Sequence, residues 1–140
     1  MVSEKAIARP NVSGVIFFDI PKEKFFIFIN QDKPLERQHF TTAHEVGHYF
    51  LHQDIIKSKT IIIDGDDSLD GSAMLFRSDV DVATNIEREA NNFAATLIMP
   101  EKFVKKAWEA LKSVEECAKV FNVSVSAMAI RLEKLRILKV

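Results

Sequence analysis

The sequence has little of several features that mark particular classes of protein. It contains one cysteine, Cys117, so no intramolecular disulfide can form, and we expect a reducing, cytoplasmic location. The longest apolar runs, such as Val15–Phe18 and Phe25–Ile29, are far too short to cross a membrane. The amino terminus lacks the apolar core of a secretory signal. A net charge of −1 argues against nucleic-acid binding through overall charge.

The composition is that of a globular protein. The chain has 140 residues, of which 47% are hydrophobic and 28% charged, so it can bury a core without disulfide or metal support. We expect a single domain over residues 1–140, with a core in 1–100 that carries the functional site and a helical carboxy-terminal extension in 101–140. The segment 54–81 is rich in aspartate, and the sequence assigns it no role.

Hydrophobic periodicity predicts an α+β fold. Residues 13–20 and 24–30 are rich in β-branched and aromatic side chains, and the turn residues Pro21–Glu23 between them indicate a hairpin. Apolar residues then recur every three or four positions over 35–52, which predicts a helix with one buried face. The later pattern predicts a strand and four helices: 59–63, 83–99, 101–112, 113–120 and a last helix from Ser124. A small antiparallel or mixed sheet should therefore pack on the first helix.

The segment His44–His48 has the pattern H-E-x-x-H within the predicted first helix. Residues four apart lie on the same helix face, so both imidazoles can reach one zinc ion at about 2.0–2.1 Å. Glu45 lies beside them and can take a proton from a water whose pKa the metal lowers to about 7. The pattern predicts a zinc site in which Glu45 is the catalytic base. The simpler alternative is a pair of histidines at the edge of the core.

A catalytic zinc site needs a third protein ligand. His52 lies about 12 Å along a helix from His44, so the two cannot share an ion, and we expect His52 to pack or to support a ligand. In the second long helix Glu87 and Asn91 share a face, so Glu87 can bind zinc while Asn91 orients a histidine through its second ring nitrogen. Glu89 lies about 200° around the helix from Glu87. Only one of the two can face the metal: Glu87 is preferred and Glu89 is the alternative ligand.

Two segments that contain these residues, 40–52 and 87–100, resemble the ImmA/IrrE family of zinc metallopeptidases. The resemblance extends over about residues 13–138. It implies a thermolysin-like, gluzincin-type core, in which a short sheet packs on the zinc helix and a second helix supplies a glutamate. Carried over to this sequence, it makes His44 and His48 metal ligands, Glu45 the general base and Glu87 the third ligand.

The resemblance also implies a biological role, since known members cleave or regulate helix-turn-helix repressors in mobile-element immunity and in radiation-response control. We therefore expect a zinc-dependent peptidase that hydrolyses a bond in a protein partner, with a helix-turn-helix transcriptional repressor as the expected substrate. The alternative is a non-hydrolytic binding module for a repressor or an antitoxin-like DNA-binding protein. Neither membrane association nor direct nucleic-acid binding is expected, and the sequence does not fix the oligomeric state.

Overall fold

The computed structural model describes residues 2–3, 11–65 and 80–139. Within these residues the chain forms four strands and six helices. The strands are β1 (Val2–Ser3), β2 (Val12–Asp19), β3 (Lys24–Ile29) and β4 (Ile61–Gly65). The helices are α1 (Leu35–Leu51), α2 (Gln53–Lys59), α3 (Val80–Ile98), α4 (Glu101–Leu111), α5 (Val114–Phe121) and α6 (Val125–Lys134). None of the helices among the described residues is long and apolar enough to span a bilayer.

The strands form a sheet in the order β1-β3-β2-β4. The predicted hairpin is confirmed, because β2 and β3 are antiparallel and pair Val15 with Phe28. The short β1 runs parallel to β3, and β4 runs antiparallel to β2 at the other edge of the described sheet. The register of β2 against β4 shifts between the pairs Val12–Gly65 and Gly14–Asp64, because β2 contains one extra residue there. The α+β fold class predicted from the sequence is confirmed.

The alternation of side chains along the strands gives the sheet two different faces. One face contributes isoleucines to a buried core together with α2 and α3, and its members are Ile16, Ile27, Ile29, Ile56, Ile62 and Ile86. Burial of each such side chain stabilises the fold by about 1.5–3 kcal/mol. The side chains that alternate with these isoleucines along the strands point to the opposite face of the sheet. On that face the ring of Phe17 stacks on Phe26 and Phe28 at centroid distances of 5.3 and 5.6 Å.

Chain packing divides the molecule into two units, Met1–Ala94 and Ala95–Val140. The first unit contains the sheet, α1, α2 and most of α3. Here Gly47 of α1 faces Phe93 of α3 so closely that a β-carbon on Gly47 would lie 3.0 Å from Phe93 Cδ1. A glycine at this position allows the phenyl ring to lie directly on the helix backbone. The expected single domain with a boundary near residue 100 stays a prediction.

The second unit is helical, and two serines begin its helices as the sequence predicts. The hydroxyl of Ser113 accepts a hydrogen bond from the backbone N–H of Glu116 at the start of α5, and Ser124 accepts one from Ala127 at the start of α6. Each cap satisfies a backbone donor that the helix itself leaves unpaired. The side chains buried inside this unit include Met99, Val104, Cys117, Met128 and Leu132. Cys117 is fully buried, and burial raises the pKa of its thiol.

Two elements differ from the sequence prediction. Helix α2 was not predicted, because its seven residues contain only one buried side chain, Ile56, and show too little periodicity to be recognised. Strand β4 was predicted over 59–63 but extends from Ile61 to Gly65, so Asp64 lies within a strand. Aspartate followed by glycine is typical of a turn, and here the pairing with β2 overrides that preference.

Candidate metal centre

Helix α1 places three residues of the H-E-x-x-H segment in the interior of the first unit. His44, Glu45 and His48 are all buried, although α1 carries exposed residues at both ends. The rings of His44 and His48 lie one turn apart with centroids 4.7 Å apart and planes nearly perpendicular. The two Nε2 atoms therefore converge on the same side of the helix, where a third element meets them.

Glu87 of α3 provides the carboxylate opposite the two histidines. Its Oε2 lies 2.9 Å from His44 Nε2, and its Oε1 lies 3.1 Å from His48 Nε2. Glu87 is 1% exposed. The alternative candidate, Glu89, does not face these atoms: it is 59% exposed and contacts His52 instead. The structure thus brings Glu87, and not Glu89, to the histidine pair.

Asp64 of β4 is a fourth buried group at this position, and it was not among the site residues predicted from the sequence. Its Oδ2 lies 3.5 Å from His44 Nε2 and 3.4 Å from His48 Nε2. The signal available in the sequence was the alternation along β4, where Ile62 and Asp64 are the two buried positions. An acidic residue in the inward register of a strand is unusual, because a buried carboxylate requires a partner.

These side chains form a group that can hold a metal ion. One ligand atom from each of His44, His48, Asp64 and Glu87 lies within 4.8 Å of the others. Several of their atoms are buried and have no hydrogen-bond partner within the described residues, among them His48 Nε2, both oxygens of Asp64 and Glu87 Oε1. Buried polar atoms normally have partners, and two imidazoles with carboxylates are suitable zinc ligands. The residues present therefore fit a zinc ion.

The other ring nitrogens of the two histidines are held from outside the cluster. His44 Nδ1 lies 2.8 Å from Asn91 Oδ1, the contact that the spacing of Glu87 and Asn91 predicted. His48 Nδ1 lies 2.9 Å from His52 Nδ1, and His52 Nε2 lies 3.1 Å from a carboxylate oxygen of Glu89. A histidine that offers Nε2 to a metal carries its proton on Nδ1, so both contacts favour that tautomer.

Glu45 lies beside the cluster and is fully buried. Neither of its carboxylate oxygens has a hydrogen-bond donor within the part of the chain that the structure describes. Burial raises its pKa well above the usual range, and the negative charges of Asp64 and Glu87 add to that effect. Its space is provided by Gly14 on β2, where a β-carbon would lie 2.7 Å from Glu45 Oε2.

The charges of the cluster balance in pairs when no metal is bound. Burial opposes charge on His44, but Asp64 and then Glu87 raise its pKa to about 10. Burial likewise opposes charge on His48, and Asp64 is again the main group that raises its pKa. Burial by itself would raise the pKa of Asp64, yet the two histidines hold it well below its usual range. A metal ion must therefore displace protons from the imidazoles when it binds.

A helix that carries H-E-x-x-H, with its glutamate buried beside a group of metal-ligating side chains, is typical of metallopeptidases. Sequence comparison agrees with this class. The pattern of the IrrE N-terminal-like domain, a peptidase family, matches residues 7–133, and the chain belongs to this family.

Metallopeptidase ImmA of Bacillus subtilis (strain 168) is similar to this chain. The two are 30% identical over 113 residues, which amount to 79% of this chain and 57% of that protein. The chain therefore spans a little more than half the length of this relative.

Proposed function

We propose that the protein is a zinc-dependent peptidase of the gluzincin type that hydrolyses a peptide bond in a protein partner. The observation that carries the proposal is the position of Glu87, whose two oxygens lie 2.9 and 3.1 Å from the Nε2 atoms of His44 and His48. Two histidines and a glutamate form the ligand set of thermolysin-type zinc sites. His44, His48 and Glu87 would hold the ion.

The surrounding residues prepare the two imidazoles for this role. Asn91 accepts a hydrogen bond from Nδ1–H of His44, and His52 accepts one from Nδ1–H of His48. Each bond leaves the lone pair of Nε2 directed into the cluster and fixes the plane of the ring. Such bonds raise the basicity of a ligand and reduce the reorganisation that metal binding requires.

Glu45 is the proton carrier of the proposed reaction. When bound, zinc supplies Lewis acidity toward the scissile carbonyl and lowers the pKa of the attacking water. Glu45 takes the proton of that water on its carboxylate and returns it to the leaving nitrogen. Its burial, which raises its pKa, suits both steps because a weakly acidic carboxyl group accepts a proton readily and holds it until the leaving group needs it.

The substrate in this proposal is a helix-turn-helix transcriptional repressor in the cytoplasm, in the setting of mobile-element regulation. The repressor substrate is supported by the family resemblance, and the cytoplasmic location is supported by the single cysteine, Cys117, which has no partner for an intramolecular disulfide. A second candidate, a binding module that holds the repressor without hydrolysis, is favoured by one observation. Asp64 gives the cluster a fourth protein group, and four-ligand zinc sites are commonly structural.

Glu45→Gln tests the peptidase proposal, because the amide cannot accept the proton but has nearly the shape of the carboxylate. The zinc-loaded variant and the parent protein are each incubated with a panel of purified helix-turn-helix repressors, and cleavage is followed by mass spectrometry. We expect one zinc per chain, as in the parent protein, and a rate at least about 100-fold lower, the usual range for loss of a general base. The matched control is Glu36→Gln, an exposed position on the same helix. Equal cleavage by the Glu45 variant and the parent would contradict the assigned mechanism.

A further inference from the structure

Asp64 lies in the centre of the metal cluster, yet the three-ligand peptidase site has no role for it. The side chain is 2% exposed, and neither of its oxygens has a hydrogen-bond partner among the described residues. Burial of a carboxylate without a partner is costly, and the fold retains it here between two imidazoles. When no metal is bound, the positive partners of Asp64 are the two imidazoles, whose Nε2 atoms lie 3.5 and 3.4 Å from its Oδ2.

The distances from Asp64 to the two imidazoles are compatible with one shared metal ion. Four ligands at zinc distances of about 2.0–2.2 Å lie roughly 3.3–3.6 Å from one another in a tetrahedral site. Asp64 Oδ2 lies 3.5 Å from His44 Nε2 and 3.4 Å from His48 Nε2, within that range. These three atoms and a Glu87 oxygen all fall within 4.8 Å of one another. One ion can therefore contact all four side chains.

The backbone holds Asp64 in this place. Asp64 pairs with Gly14 of β2 beside the irregularity between Val12 and Gly14, and Ile62, two residues before Asp64, is fully buried in the core. The next residue is held as well, because Arg37 donates hydrogen bonds from Nη2 to the carbonyl oxygen of Gly65 at 3.4 Å and to Ser13 Oγ at 3.0 Å. The inward direction of Asp64 thus follows from strand register and not from a free choice of rotamer.

The charge of the cluster also favours a second carboxylate close to the ion. Two neutral imidazoles with the carboxylates of Asp64 and Glu87 carry a charge that cancels that of a divalent ion. With Glu87 alone, one positive charge would remain in a buried site, and burial of unpaired charge is unfavourable. Glu45 approaches the same strand position, since Asp64 pairs with Gly14 and a β-carbon on Gly14 would lie 2.7 Å from Glu45 Oε2.

We infer that Asp64 is a fourth protein ligand of the metal and that it closes the site in the resting protein by occupying the place beside Glu45 that an attacking water needs. The inference rests on the proposed zinc site. A catalytic zinc keeps one coordination position open, whereas a closed set of four protein ligands does not. In this protein hydrolysis requires that Asp64 leave its position, so Asp64 competes with water for the ion.

The role of Asp64 is tested by two affinities that should change in opposite directions, the affinity for zinc and the affinity for acetohydroxamate. Zinc affinity is determined by competition with a chromophoric chelator, and acetohydroxamate is titrated into the cobalt-substituted protein while the visible absorption is recorded. Loss of groups that only support a ligand weakens metal binding by about 10–100-fold, so Asp64→Ala should weaken zinc binding by more than about tenfold. The same variant should bind acetohydroxamate more than about tenfold more tightly than the parent, because a coordination position has opened.

Asp54→Ala is the matched control, since Asp54 is an exposed aspartate on α2, and it should behave as the parent in both titrations. Asp64→Asn keeps the size of the side chain and should show the same two changes to a smaller extent. The parent protein alone gives a further test that does not depend on the folding of a variant: acetohydroxamate at millimolar concentration should leave its cobalt spectrum unchanged.

The outcomes separate this inference from the proposed function. Two results would contradict the zinc site and with it the peptidase proposal. One is a parent protein that binds no zinc, and the other is a His48→Ala variant that binds zinc as tightly as the parent. A parent protein that binds one zinc but whose cobalt form takes up acetohydroxamate as readily as the Asp64→Ala variant would contradict only the role of Asp64. Unchanged zinc affinity in both folded Asp64 variants would have the same meaning.

Discussion

Nδ1 of His52 lies 2.9 Å from Nδ1 of His48, one helical turn earlier in the chain. Two identical nitrogens can form a hydrogen bond only if one of them carries the proton. If His48 offers Nε2 to the metal, its Nδ1 carries the proton and donates it to His52, whose own proton then lies on Nε2 and is donated to Glu89. One contact therefore fixes the tautomers of both rings.

His52→Ala should weaken zinc binding by about 10–100-fold while the protein still binds one ion per chain, because the proton on His48 Nδ1 loses its acceptor. Chelator competition measures the affinity. His39→Ala, another histidine on α1, provides the control and should retain the parent affinity. Parent-like affinity in the His52 variant would mean that the contact with His48 does not orient the ligand.

Glu87→Ala and Glu89→Ala form a matched pair that identifies the ligand on α3. The first should lose stoichiometric zinc, since Glu87 is buried and lies 2.9 Å from His44 Nε2. The second should retain one zinc per chain with an affinity reduced less than in His52→Ala, because Glu89 is 59% exposed and acts only through His52. Metal content after gel filtration distinguishes the two. Loss of zinc from Glu89→Ala alone would reverse the assignment.

Gly14→Ala should perturb Glu45 without a change in any charged group. The added β-carbon would lie 2.7 Å from Glu45 Oε2 and 2.7 Å from Thr41 Cγ2, and both distances are far below van der Waals contact. Overpacking of this kind costs about 1–3 kcal/mol, measured as the free energy of unfolding in urea. Thr41→Ser removes the second of these contacts, so the double variant should recover part of the loss. A double variant no more stable than Gly14→Ala would show that the strain lies elsewhere.

The stability of the metal-free protein should fall as the pH rises from 6.5 towards 10. The lower limit is the usual pKa of histidine, and the upper limit is the pKa of about 10 to which His44 is raised in the folded protein. Below the pKa of the histidine in the unfolded chain, the folded and the unfolded state both hold the proton, and the proton stabilises the fold fully. Above that pKa only the folded state holds the proton, and the stabilisation falls until the pKa of the folded state is passed. His48 and Glu45 act in the same direction because their pKa values are also raised. The lowered pKa of Asp64 affects stability only in acid.

Urea unfolding at a series of pH values, followed by far-UV circular dichroism in the presence of a chelator, measures this decline. His44→Ala should flatten the curve. Over the same pH interval the zinc affinity of the parent should rise, because fewer protons compete for the imidazoles. Stability that increases between these pH values in the metal-free protein would contradict the pairing of the histidines with Asp64 and Glu87.

The part of the site that could be predicted from the sequence is the part that helical spacing controls. His44 and His48, like Glu87 and Asn91, are four residues apart, and a helix places such pairs on one face whatever the rest of the chain does. Both α1 and α3 formed where the periodicity indicated. The spacing also separates Glu87 from Glu89, and the structure places these two residues on different partners, the histidine pair and His52.

Asp64 could not be predicted in the same way, because its environment is set by long-range pairing. Its position depends on the register of β4 against Gly14, about fifty residues earlier in the chain, and on α1 and α3 beyond the sheet. Local preference favours a turn at aspartate followed by glycine, and only tertiary contacts change that outcome. Helix α2 was not predicted for a related reason, since a single buried residue does not produce a recognisable hydrophobic periodicity.

The chain has one tryptophan and one cysteine, and Trp108 and Cys117 both belong to the second unit, whereas every residue of the metal cluster belongs to the first. Indole fluorescence and thiol labelling of the native protein therefore use probes that lie in α4 and α5. A shift of either signal on addition of zinc would measure the thermodynamic linkage between the two units without any introduced probe. If indole fluorescence and thiol labelling do not change when zinc is added, the helical unit opens independently of the metal cluster.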